Sequence, residues 1–181
     1  MHKIMTSDDA SRGGRAERPG SGLRWLWLAL LVIVLDLATK SVASSQLVYA
    51  SPVPVLPFFN FTLLHNTGAA FSFLAGAGGW QRWFFIGLAA VVSVMLIHWL
   101  RTLKREETWL AISIALVLGG AIGNVYDRIV HGYVVDFLHF YWNEYHFPAF
   151  NLADVAISIG AFMMVVDVFR RPDPDRSETG D

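Results

Sequence analysis

Four stretches of the chain, Leu23 to Val42, Trp83 to Leu100, Thr108 to Ile129 and Phe150 to Phe169, are apolar over about the length that a helix needs to cross a bilayer, roughly 20 residues. In lipid, every backbone N–H and C=O must find its partner within the segment, so each stretch is predicted to be a transmembrane helix. A content of 54% hydrophobic against 16% charged residues agrees, since it is too apolar for a soluble domain. With 181 residues the chain has room for one domain, expected over residues 23–170. Residues 1–22 and 171–181 are polar and aperiodic, and are expected to be disordered cytoplasmic tails.

Charge placement sets the orientation. Lys3, Arg12, Arg15, Arg18 and Arg24 precede the first span, Arg101, Lys104 and Arg105 lie between the second and third, and Arg170, Arg171 and Arg176 follow the fourth. Ser41 to Gln81 and Ile129 to Phe169 hold no Lys or Arg. By the positive-inside rule both termini are cytoplasmic and the two long connections face outward. The first of these, Gln46 to Gln81, is not a plain linker. Pro52, Pro54 and Pro57 exclude helix, and FFNFTLL and AAFSF flank the turn-forming His65-Asn66-Thr67-Gly68. The fold class is therefore an all-α membrane protein with four transmembrane helices and a small outward-facing β-rich cradle between the first and second.

Several function classes fall away. A net charge of -1 supplies no concentrated basic surface for nucleic acid. The absence of Cys removes thiol nucleophiles, thiolate-ligated metals and thioether lipid anchors on this chain, while leaving open action on another protein's cysteine. There is no GxSxG, HExxH or P-loop. His131, His139 and His146 match no metal-ligand spacing and read as interfacial histidines, so no metal and no cofactor is expected.

What remains is a set of costly polar residues at the outer ends of the spans: Asp36, Lys40, Asn66, Asn124, Asp127, Arg128, Asp136, Asn151 and Asp154. A carboxylate at a membrane boundary is a functional hypothesis by default. Asp36 and Lys40, at i and i+4, read first as a neutralised pair with Lys40 snorkelling outward, and second as a holder of a lipid headgroup or a backbone carbonyl. Arg128, with five donors, reads as a tie between helix ends. Asn151 with Asp154 three residues on, ahead of an apolar run, has the form of a helix N-cap and its reciprocal partner. Capping leaves room for chemistry, because the helix dipole favours an anion in the first turn. Asp136 stands among Val134, Val135, Phe137 and Leu138, where desolvation should raise its pKa. Two adjoining carboxylates share a proton, so one activates water while the other serves the carbonyl oxygen; this is aspartic-peptidase chemistry. Spacing alone leaves open which two of Asp127, Asp136 and Asp154 form the pair. A small proton- or ion-coupled transport protein using the same carboxylates is the alternative, although the halves of the chain are dissimilar and the acids gather at one boundary rather than at the midplane.

Five blocks, DLATK, HNTGAAFSF, GGAIGNVYDR, VVDF and FPAFNLAD, in this order and spanning roughly Trp25 to Arg170, resemble the lipoprotein signal peptidase (signal peptidase II) family. The resemblance implies a four-helix aspartic endopeptidase of the bacterial cytoplasmic (inner) membrane, with its active site near the outer face. Such an enzyme cleaves prolipoproteins just before a diacylglyceryl-modified cysteine. It implies that Asp136 and Asp154 are the catalytic acids and that Asn66, Asn124, Asp127, Arg128, Asn151 and Lys40 are supporting positions. Asp36 is grouped with these through its pairing with Lys40. The expected partners are lipid-modified prolipoproteins and membrane lipids, and the expected state is a monomer. The polar extension Met1 to Gly22 is the departure from the pattern.

Overall fold

The computed structural model describes residues 21–68 and 79–170. A short 3-10 helix, Ser21–Trp25, leads into α1 (Leu26–Gln46), and the strands β1 (Val53–Leu56) and β2 (Phe59–Asn66) follow. Next come α2 (Trp80–Thr102), α3 (Thr108–Val130), β3 (Val134–Trp142), β4 (Tyr145–His146) and α4 (Leu152–Arg170). Among the described residues four helices are long and apolar enough to cross a membrane, and they coincide with the four expected spans to within a few residues. The expected disorder of the tails and the expected strand AAFSF fall almost wholly outside the described residues, although the 3-10 helix begins at Ser21.

α3 is the hub of the bundle. It packs against α1, α2 and α4, and its Leu110, Ala111, Ile114, Ala115 and Leu118 are buried in the core. The other helices turn apolar side chains outward, among them Leu30, Val91, Val94, Phe162 and Val168. Lipid tails are as apolar as these side chains, so helix association in a membrane depends on close packing instead. Gly119, Gly120 and Gly123 supply the closeness. A Cβ on Gly119 would meet Ala29 O at 2.7 Å, one on Gly120 would collide with Ala153 O, and one on Gly123 would meet the Asp36 carboxylate at 2.5 Å. α3 is thereby pressed against α1 on one side and α4 on the other, at the level where the acids lie.

The bundle has two unlike ends. At one, Arg24 donates to Arg105 O (3.0 Å) and to Thr108 Oγ1 (3.1 Å), and Arg170 lies over the Trp109 ring. At the other, Arg82 at the start of α2 donates to Ile129 O at the end of α3 (2.9 Å), and the sheet covers the helix ends.

That sheet extends further than the sequence suggested. Its order is β1-β2-β3-β4, all antiparallel, so both long connections contribute to it. β2 and β3 pair from Phe59↔Phe140 to Asn66↔Val134, with a register shift between Phe61 and Leu64. Val134–Trp142, VVDFLHFYW, is rich in β-branched and aromatic residues, the composition of a strand. Pro54, expected only to break helix, lies within β1, at the outer edge of the sheet, where a missing N–H costs least.

Candidate active site

Asp136 reaches the site from β3, paired with Leu64 of β2, and is 3% exposed. Asp154 reaches it from the first turn of α4. The N-cap expected there is present in full: Asp154 N donates to Asn151 Oδ1 (3.0 Å) and Asn151 N donates to Asp154 Oδ2 (3.3 Å). Asn151, with no exposed surface, also donates from Nδ2 to Asp136 Oδ1 (2.7 Å). One residue therefore bonds both acids.

Each remaining carboxylate oxygen has its own donor. Asn66 Nδ2 donates to Asp136 Oδ2 (3.1 Å), while Asn66 Oδ1 accepts from Gly68 N (3.0 Å) in a local turn that fixes the amide. Asn124 Nδ2 donates to Asp154 Oδ1 (2.8 Å). All four oxygens of the pair thus accept a bond from the protein. Burial, and next the charge of Asp154, push the Asp136 carboxyl up to about 7, against the opposing pull of the bonds from Asn66 and Asn151.

Asp154 opens onto a cavity of about 530 Å³ lined also by Asn66, Asn124, Arg128, Phe147, Phe150 and Ile157. The cavity walls are mainly apolar, with Asn124 and Arg128 beside Asp154 as polar groups, the pattern of a site for a largely apolar ligand.

Asp127, the third acid, is separate from this pair. It is buried, accepts from Val135 N at Oδ2 (3.0 Å) and contacts Lys40 Nζ (3.0 Å). Lys40 also meets Asp36 Oδ2 at 2.8 Å and donates to Asn124 Oδ1 (3.0 Å). The expected pair of Asp36 and Lys40 forms, but the expected outward snorkel does not: Lys40 is 3% exposed and turned into the bundle, because two carboxylates and an amide oxygen wait for it there. Asp36 Oδ1 accepts from Ala153 N (2.9 Å), so an acid on α1 satisfies a first-turn donor of α4. Arg128, expected to tie helix ends together, donates instead to Gly68 O in the turn after β2 (2.8 Å) and to Asn124 O of its own helix (3.3 Å), with its guanidinium over Phe85, and it lines the cavity beside Asp154.

Of the three histidines considered above, His139 and His146 lie on the sheet and His131 is the C-cap of α3. His139 Nε2 is 3.2 Å from His146 Nδ1, and its Nδ1 is 3.2 Å from Thr62 Oγ1. Partial burial, and then His146, lower the His139 pKa. Among the contributors to the site, Gly68 O and the N–H groups of Val135 and Ala153 had no signal in the sequence, since main-chain groups carry no residue identity.

The fold and the site define a multi-pass membrane enzyme with its buried acids at one end of a four-helix bundle. A bacterial membrane enzyme solved at 2.3 Å superposes with a TM-score of 0.73 at 26% identity, covering 92% of this chain and 98% of that one. A second, solved at 1.9 Å, gives 0.71 at 26% identity, over 88% and 100%. The sequence model of the family described as signal peptidase (SPase) II matches residues 28–170, and on that match the chain belongs to the signal peptidase II family. It is similar to the lipoprotein signal peptidase of Vibrio cholerae serotype O1, at 57% identity over 83% of this chain and 89% of the relative. Those of Acinetobacter baumannii (57%, over 81% and 84%) and Alteromonas mediterranea (52%, over 88% of each) are similar as well.

Proposed function

We propose that this signal peptidase II family member is an aspartic endopeptidase in which Asp136 and Asp154 form the catalytic dyad. The protein is a multi-pass membrane hydrolase that processes prolipoproteins by removing their signal peptides. The scissile bond is the one preceding the diacylglyceryl-modified cysteine. The observation that carries the catalytic reading is the convergence of four hydrogen-bond donors on the four oxygens of two acids, one of which, Asp154, lines an apolar cavity.

With every oxygen already accepting a bond, no acceptor among the described residues is assigned to a proton on either acid. That proton is available to a water or to the substrate. Asp154 is the ionised member, in the first turn of α4 where the dipole favours an anion, and Asp136 carries the shared proton. A water attacks the scissile carbonyl carbon and gives one proton to Asp154, while Asp136 protonates the carbonyl oxygen, leaving a neutral gem-diol. Asp154 then passes its proton to the leaving nitrogen as the C–N bond breaks, and Asp136 recovers one from a gem-diol hydroxyl. The pair ends one turnover in its starting state.

Both termini are assigned to the cytoplasm and the sheet to the outer face, as the positive-inside rule requires of the Arg- and Lys-bearing end. The protein acts as a monomer, with bilayer lipid around its exposed apolar helices. The transport reading gains no support, because the acids stay at one end of the bundle. The test is incubation of the purified protein with a lipid-modified prolipoprotein and with its unlipidated form. Release of the signal peptide from the first alone is expected, and no release from either overturns the assignment.

A further inference from the structure

Lys40 touches neither acid of the proposed dyad, and yet three short chains of contacts lead from its Nζ to both. The first runs to Asp36, whose Oδ1 holds Ala153 N, the residue before Asp154. The second runs to Asp127, whose Oδ2 holds Val135 N, the residue before Asp136. The third runs to Asn124 Oδ1, and Asn124 Nδ2 holds the Asp154 carboxylate itself. A lysine has donors and no acceptor, so it also dictates which end of the Asn124 amide faces the acid. Asn151 Nδ2 adds a second donor to Asn124 Oδ1 (3.2 Å) and so reinforces the same orientation.

We propose that Lys40 is the positioning residue of the reaction, clamping β3 to the start of α4 so that Asp136 and Asp154 stand at their working separation. The inference rests on those two acids being the dyad. The two carboxylates come from different elements, a strand and a helix start that backbone bonds at Phe150 also join, and each is anchored one residue upstream by an acid that Lys40 holds. A neutral packing residue in its place leaves both anchors free to repel and separate. The Lys40 charge also opposes the upward push on Asp136. The other charged groups around Asp136 are Asp154 on α4 and Asp127 and Arg128 on α3, with the amides of Asn66 and Asn151 on its oxygens.

The experiment measures kcat, KM and the pH dependence of kcat for Lys40→Met and Lys40→Arg, per mole of folded, monodisperse protein, with a lipid-modified prolipoprotein as substrate. Misplacing a catalytic group by about 1 Å costs on the order of 100-fold. Lys40→Met is expected to lose about that much in kcat with KM within about threefold of wild type, and to shift the alkaline limb to higher pH. Lys40→Arg keeps the charge but not the length, so kcat falls and the limb stays. If Lys40→Met fails to fold, Lys40→Met/Asp36→Asn leaves one buried carboxylate instead of two and serves for the same measurement. Wild-type kcat per folded molecule with an unmoved pH profile overturns the proposal, and so does failure of all these variants to fold. Asp136→Asn and Asp154→Asn run alongside. If they cleave, the dyad assignment is what fails; if they are inert while Lys40→Met is unaffected, the positioning role alone fails.

Discussion

Replacing Asp136 with Asn should make the protein more heat-stable as it destroys activity, and the gain should depend on pH in a defined way. The folded-state pKa is raised from 3.8 to about 7, first by burial and then by Asp154. For an acid with a raised pKa, the native state binds its proton more tightly than the unfolded chain does. Its contribution to stability is full below about pH 4, is lost as pH rises through 7, and is flat above. Three units at 1.36 kcal/mol each make the cost of the ionised group about 4 kcal/mol at alkaline pH. An Asn avoids this, but it must turn an NH2 toward one of the two donors, Asn66 Nδ2 or Asn151 Nδ2, and lose a hydrogen bond at about 1 to 3 kcal/mol. That loss does not vary with pH. The change in the mutant's advantage between about pH 5 and about pH 8, expected to be ~3 kcal/mol, therefore isolates the buried charge. Thermal unfolding of both proteins in detergent micelles, followed by tryptophan fluorescence at the two pH values, reads it as a widening gap in Tm. A gap of the same size at both pH values would refute the reasoning, since it would mean that Asp136 is not held protonated against its ordinary tendency.

Asp154→Asn removes the second cause of the Asp136 shift and leaves the first, so the carboxyl infrared band of Asp136 should titrate at a lower pH than in wild type while staying above 3.8; an unmoved titration would disconnect the two acids. Asp136→Asn and Asp154→Asn should each abolish cleavage while retaining binding of the lipid-modified substrate, and the double variant should be little worse, because groups acting as one unit are non-additive; near-wild-type cleavage by either single variant would rule the dyad out, and a well-folded but inert Asp127→Asn would show that the acids had been paired wrongly. Gly120→Ala drives a methyl into Ala153 O and should destabilise by about 1 to 3 kcal/mol, measured by heat inactivation, whereas Gly87→Ala, with open space around its Cβ, should change little. Arg128→Ala should lose its bond to Gly68 O and its stacking on Phe85, a destabilisation of roughly 1 to 3 kcal/mol; wild-type heat stability with no cleavage would assign Arg128 to substrate binding instead. Cysteine labelling at Arg105→Cys from the cytoplasm and at Asn143→Cys from outside checks the orientation, and the reverse pattern would invert it.

The spans were legible because twenty apolar residues in a row admit one structure in lipid, and the N-cap at Asn151 because capping is a local rule with a fixed spacing. The strand at Val134–Trp142 is written in its β-branched and aromatic residues, but the buried acid within it interrupts the apolar run that marks a core strand. Lys40 was read by its own helix turn, where only Asp36 is in reach, so snorkelling was the natural expectation. Its two other partners, Asp127 and Asn124, lie on α3, and the packing that brings them near depends on Gly119 and Gly123, whose signal is an absence of side chain. For the same reason Asp127 stood level with the other two acids until the fold separated them. The resemblance to known blocks chose Asp136 and Asp154, and the geometry supplies a physical ground for the same choice.

β2 and β3 belong to different halves of the chain, and the ladder between them joins connections that leave the ribosome far apart in time. Asn66 arrives with the first connection, Asn124 with α3, Asp136 with the second connection, and Asp154 with the last helix. A nascent chain holding three inserted helices has one carboxylate of the proposed pair, half of the pair's donors and no cavity wall from α4. If the two acids are the proposed dyad, the last helix to be made completes the site, and a molecule lacking it is expected to be inert.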